Sequence, residues 1–178
     1  MASALLLLVD GFEEIEAVTI IDVLRRAEVA VTTASLAGKR VRGSHEIVLE
    51  SDASLDAVSV DDFDALVLPG GPAAKTLRED ARAQAVIKRA GAAGKLVAAV
   101  CAAPTALEAA GLLSGKRATS YPGSALPSAH YVEEPVVVDG NIITSRGPGT
   151  TMAFALKLVE RLSGAGVASK TAERLLAH

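Results

Sequence analysis

Four short strand-like runs, Leu5 to Val9, Val29 to Ala34, Ala65 to Pro69 and Leu96 to Val100, are separated by stretches of helical period. That alternation constrains the fold more than any other feature. Runs this short and this apolar read as strands buried on both faces, which parallel sheets covered by helices require. From Glu14, the positions Ile15, Val18, Ile21, Val23 and Leu24 recur at helical spacing, and Arg25 and Arg26 suit the C-terminal end of the dipole. A helix is expected from about Ala81 to Ala93 with Gly94 as its stop, and another from Cys101 to about Gly111. Residues 41–49 hold β-like segments around Gly43 that suit a hairpin. Val136-Val137-Val138, the Asp139-Gly140 turn and Ile142 to Ser145 predict a second one. Gly147-Pro148-Gly149 introduces a helix from about Thr150 to Leu162, and a last one covers roughly Ala165 to Leu176. The order predicts an α/β chain: a three-layer α/β/α sandwich with a mainly parallel central sheet. At 178 residues without a long linker, a single domain over 1–178 is expected.

Half the residues are apolar but only 3% aromatic, so the core is built from Ala, Val, Leu and Ile. A net charge of −3 gives no basic footprint for nucleic acid. The opening leucine run is too short to cross a bilayer, and Asp10, Glu13, Glu14 and Glu16 follow it directly. The single cysteine cannot form an intrachain disulfide, which points to a reducing, cytoplasmic setting.

In open α/β sheets ligands bind beyond the carboxyl ends of the strands. Three segments fall there: Asp10 to Glu16, Pro69-Gly70-Gly71-Pro72, and Cys101-Ala102. Cys101 ends an apolar strand where a helix begins, so free N–H groups and a helix dipole are expected to lower its pKa and favour the thiolate. The alternative is a small buried hydrophobe, the usual fate of a free cysteine. Glu13 and Glu14 fit solvated first-turn acids. Glu16, flanked by Ile15 and Ala17, is a candidate for a carboxyl of raised pKa that hydrogen-bonds the thiolate. Gly70 and Gly71 form a tight turn, or else let backbone amides approach a reacting carbonyl; with the Ala102 amide, that of Gly71 would make an oxyanion hole. His130, on a loop after the elbow, is either a base or a structural histidine.

Other chemistries find little support. One cysteine and the scattered His45, His130 and His178 show no metal-ligand spacing, and no cofactor motif is present. Ser124 and Ser145 lack a G-x-S-x-G context.

In order, Glu13-Glu14-Ile15-Glu16, Leu68-Pro69-Gly70-Gly71, Val100-Cys101-Ala102-Ala103-Pro104-Thr105, His130-Tyr131 and Thr144-Ser145-Arg146-Gly147-Pro148-Gly149-Thr150 resemble the parkinsonism-associated deglycase family of the PfpI superfamily. The resemblance spans essentially the whole chain. It implies a flavodoxin-like sandwich, a homodimer and an oxidation-sensitive cysteine at a nucleophile elbow. It makes Cys101 the nucleophile, Glu16 its carboxyl partner and His130 a more distant third catalytic residue. Gly70, Gly71 and Ala102 would frame the oxyanion pocket, with Arg146 and Pro148 near its rim. The implied activity is cofactor-free conversion of methylglyoxal-type α-oxoaldehydes, or their glycated adducts, to 2-hydroxy acids such as lactate.

The chain departs from that family in places. Ala103 stands where a glycine is frequent, and His45 replaces an arginine of the animal proteins. The second family cysteine, near Glu50, is absent. Ala102 replaces the histidine of the protease-like branch, which argues against a peptidase, and no late His-x-Glu pair supports an amidotransferase. A second functional class is a stress sensor or redox-regulated chaperone in which Cys101 is oxidised to sulfinic acid.

Overall fold

The computed structural model describes residues 1–177, and His178 lies outside them. The chain runs β1 (Ser3–Leu7), α1 (Glu14–Arg26), β2 (Ala30–Ser35), β3 (Arg40–Arg42), β4 (Val48–Glu50), β5 (Ala53–Ser54) and β6 (Ala65–Leu68). It continues through α2 (Ala73–Glu79), α3 (Ala81–Ala92), β7 (Leu96–Val100), α4 (Pro104–Ala109), β8 (Arg117–Ala118) and β9 (His130–Tyr131). The last elements are β10 (Val136–Asp139), β11 (Ile142–Ser145), α5 (Thr151–Ser163) and α6 (Ala165–Leu175).

Seven strands form the central sheet in the order β10-β11-β7-β6-β1-β2-β5. Every pairing in it is parallel except β10 with β11. Helices α1, α5 and α6 pack together as one outer layer, and α2, α3 and α4 as the other. The three-layer sandwich expected from the alternation is therefore what forms. From β1 the chain first moves to β2 on one side, then returns to β6 on the other. The crevice between β1 and β6 is thus the point where strand order reverses, and the loops after β1, β6 and β7 meet above it. The strands beneath are almost wholly apolar and sealed: β6 and β7 have no exposed residue, and Leu5, Leu66 and Val97 sit side by side in register. No helix among the described residues is long and apolar enough to cross a membrane.

Both expected hairpins are present, β3–β4 and β10–β11. Two readings need correction. The inward face of α1 carries Glu14, Glu16, Ala17, Ile20, Val23 and Leu24, while Ile15 and Val18 point outward. His130 lies in β9, paired with Arg117 of β8, and not on a loop. Each difference arises from partners distant in sequence, which periodicity cannot register.

Candidate active site

Helix α1 starts immediately above the crevice. Its cap is Glu13, whose Oε2 accepts the Glu16 N–H at 2.8 Å. Glu13 is therefore a buried cap and not a solvated acid. Glu14 is buried as well: its carboxylate accepts the His45 N–H at 2.5 Å, the His45 Nδ1 hydrogen at 2.9 Å and the Ser44 hydroxyl at 3.1 Å. Burial raises its pKa, but these hydrogen bonds outweigh that effect and hold the carboxyl at about 2; His45 is shifted upward by the same contact. Glu13, Glu14 and His45 bring one potential metal-ligand atom each within 4.8 Å. The atoms of Glu14 and His45 are already bonded to one another.

Glu16 is fully buried. Its Oε2 accepts the Gly70 N–H at 2.7 Å, and Oε1 has no partner. Burial, the largest influence, pushes the carboxyl up from 4.5 to about 7 against the lowering effect of the Gly70 amide and the Cys101 thiol. Cys101 begins the turn after β7 with φ +64°, a left-handed conformation that costs a non-glycine residue roughly 1–2 kcal/mol. Two bonds hold it there: its N–H donates to Ser145 O at 3.0 Å, and its carbonyl accepts the Tyr121 N–H at 2.8 Å. The residue is 8% exposed.

The Cys101 thiol is pushed up from 9.0 to about 12, first by burial and then by the charge of Glu16. The Gly71 and Ala102 amides pull the other way. The elbow alone therefore does not produce a thiolate. Helix α4 is only six residues long and starts three residues past Cys101, too little to offset burial beside a carboxylate. Ionisation belongs to the pair: Cys101 and Glu16 together hold two protons below about pH 7 and one above it. That remaining proton is shared between the Glu16 carboxylate and the Cys101 sulfur.

The glycines are sterically required. A Cβ on Gly70 would lie 2.6 Å from Cys101 Cβ and 2.7 Å from Val100 O. On Gly71, at φ +81°, it would lie 2.6 Å from Gly11 O and 2.8 Å from Glu13 N. The Pro-Gly-Gly turn thus wedges between the loop after β1 and the elbow, which brings both amides to the reacting atoms.

The structure gathers Cys101, Glu16, Gly70, Gly71 and Ala102. Arg146 follows Ser145, the residue that holds the elbow; its Nη1 pairs with Glu133 at 3.1 Å, and its buried Nε has no partner. Pro148 lies two residues further on, opening a turn of 3-10 helix. His130 is not gathered in: it is exposed, its N–H donates to Lys116 O, and among the described residues its ring makes no hydrogen bond to the pair.

A profile of the DJ-1/PfpI family matches residues 2–161. The chain belongs to the DJ-1/PfpI family. It is 43% identical to the Drosophila melanogaster protein dj-1beta over 180 residues, covering 98% of this chain and 96% of that one. It is 36% identical to a Pyrococcus abyssi protein named a deglycase over 162 residues, 89% and 98% of the two chains. The crystal structure of Drosophila DJ-1beta superposes with a TM-score of 0.95 at 42% identity, covering 99% and 98% of the chains. An oxidised Toxoplasma gondii DJ-1 gives 0.93 at 38% identity, with the same coverage. Around this DJ-1/PfpI site lie contacts that the sequence did not show. The Ser145 carbonyl and Tyr121 amide hold the elbow, and backbone contacts carry no side-chain signature. Lys75 and Arg78 line a cavity of about 580 Å³ beside Gly71 and Ala102, and only the fold brings them there.

Proposed function

We propose that this protein is a cofactor-independent glyoxalase that converts α-oxoaldehydes, and adducts derived from them, to 2-hydroxy acids. The observation that carries this reading is the buried Cys101–Glu16 pair, packed against the Gly70 turn whose N–H binds the carboxylate. As Sγ attacks the aldehyde carbon, Glu16 takes the thiol proton and the oxyanion is held by the Gly71 and Ala102 amides. Glu16 returns that proton to the oxyanion, giving a hemithioacetal. It then removes the C–H proton and delivers it to the neighbouring carbon by way of an enediol, leaving a thioester of the hydroxy acid. Water cleaves the thioester, releasing lactate from methylglyoxal and restoring the thiol. The net change is addition of one water. A carboxyl at about 7 suits a group that must both accept and return a proton. The proton work goes to Glu16, since the exposed His130 ring makes no hydrogen bond to the pair among the described residues.

Lactate appearance from methylglyoxal tests the reading. Cys101→Ala is expected to abolish it, and Glu16→Gln to slow it by about 100-fold or more. Full activity in the cysteine variant overturns the mechanism. The Gly71 and Ala102 amides also favour a second use, a peroxide sensor, because they would donate equally well to sulfinate oxygens. Little lactate turnover, with Cys101 sulfinate accumulating in mass spectra at low peroxide, selects that reading. Either use suits a reducing compartment such as the cytoplasm.

The exposed Ile15 (58%) and Val18 (45%), three residues apart on α1, support pairing with a second copy. Sedimentation is expected to show a homodimer, and Ile15→Glu a monomer.

A further inference from the structure

The cavity beside the oxyanion amides is larger than methylglyoxal needs. At about 580 Å³ it falls within the range that accommodates ligands of many heavy atoms. Gly71 and Ala102, the latter directly following Cys101 in the chain, are among its lining residues, so a substrate held at Cys101 would extend its far end toward this space. Much of the rest is lined by small residues such as Ala74, Ala109 and Gly123, which leave the room unfilled.

The charge in the cleft is unbalanced. Lys75 and Arg78 stand three residues apart on α2, hence on one face, and both line the cavity. Lys75 has no ion-pair partner among the described residues. Arg78 meets only the half-exposed Glu79, a contact that offers little competition to a ligand. The one acid in the lining, Glu108, has both carboxylate oxygens engaged by Ser128. Neither cation supports the fold through a buried contact, and neither takes part in the proton transfers assigned to Glu16.

We infer that Lys75 and Arg78 form a specificity subsite for oxoaldehydes and adducts that carry an anionic arm, a carboxylate or a phosphate, at the end remote from the aldehyde. The inference rests on Cys101 being the residue that receives substrate, as proposed above. Both side chains are exposed, so Lys75→Gln with Arg78→Gln removes the charge without disturbing the core.

Two measurements separate this idea from the reaction itself. The first follows iodoacetamide labelling of Cys101, which requires no turnover, in the presence of glycerol phosphate, glutarate or neutral glycerol. The anions are expected to slow labelling of the wild type, glycerol is not, and the double variant is expected to lose the protection. Protection by glycerol phosphate alone assigns the subsite to phosphate, and protection by glutarate alone to carboxylate. The second compares kcat/KM for methylglyoxal with that for hydroxypyruvaldehyde phosphate and a carboxylate-bearing homologue. The double variant should lose about 10-fold or more on the anionic substrates and stay within about twofold on methylglyoxal, with the difference shrinking at high salt. Equal protection of wild type and variant, or no protection by either anion, overturns the subsite. Absence of lactate from every substrate, with anion protection intact, overturns the glyoxalase reading and leaves the subsite standing.

Discussion

Glu16→Gln should make this protein more stable at neutral pH while removing its base. The Glu16 carboxyl ionises at about 7 in the folded chain and at 4.5 when free. Between those values the folded state retains a proton that the unfolded chain has already released. Stability therefore falls as pH rises across that window, by about 1.4 kcal/mol per unit, and the loss is complete above about pH 7. Two and a half units give about 3 kcal/mol, a sizeable part of the 5–15 kcal/mol that holds a typical domain together. A glutamine keeps the acceptor for the Gly70 N–H and never charges. The measurement is urea unfolding of both proteins at several pH values, with the difference in stability plotted against pH. The difference should be near zero at about pH 4, grow through pH 6, and level off at about 3 kcal/mol by pH 8 in favour of the variant, with unchanged m-values. Parallel curves across the whole range would mean that Glu16 is not held as a buried acid, and the pairing with Cys101 argued from it would fail.

Gly71→Ala should cost roughly 1–3 kcal/mol and most of the activity, because its methyl must displace the loop that holds Glu13 while the residue stays at φ +81°; unfolding and lactate assays on one sample check both. The His45–Glu14 contact should appear in an NMR titration as a His45 midpoint above 6.5 that falls back in Glu14→Gln. The stability His45 adds is fully present below 6.5 and is lost as pH rises through its folded value. That of Glu14 is present above 4.5 and is lost as pH falls toward 2.

The elements read from the sequence are those whose pattern is local. β6 and β7 are sealed on both faces, so their runs of Leu, Val and Ala could suit little else. α1 shows where that reasoning stops. Its acids are buried because His45, 31 positions away from Glu14, and Gly70, 54 positions away from Glu16, supply their hydrogen bonds, and no helical period encodes such partners. The two-residue strands β5, β8 and β9 are too short to show any alternation, and α2 is hidden between the Pro-Gly-Gly turn and Asp80. At the site, the Cys101 corner and the twin glycines were legible because a strand–turn junction is local. The raised pKa of Glu16 was anticipated from its apolar neighbours; the upward shift of the thiol was not, because it depends on how deeply Cys101 is buried beside that carboxyl.

The backbone of Cys101 has a consequence for when the protein becomes reactive. Its N–H and C=O are fastened to residues 44 and 20 positions downstream, Ser145 and Tyr121. A chain emerging from the ribosome can lay down β1, β6 and β7 well before either anchor exists. Until β11 docks, only the Tyr121 amide is available to hold the left-handed turn that carries the sulfur. The elbow is thus among the last features to mature, since a chain that ends before Ser145 lacks the carbonyl that helps fix Cys101 at φ +64°.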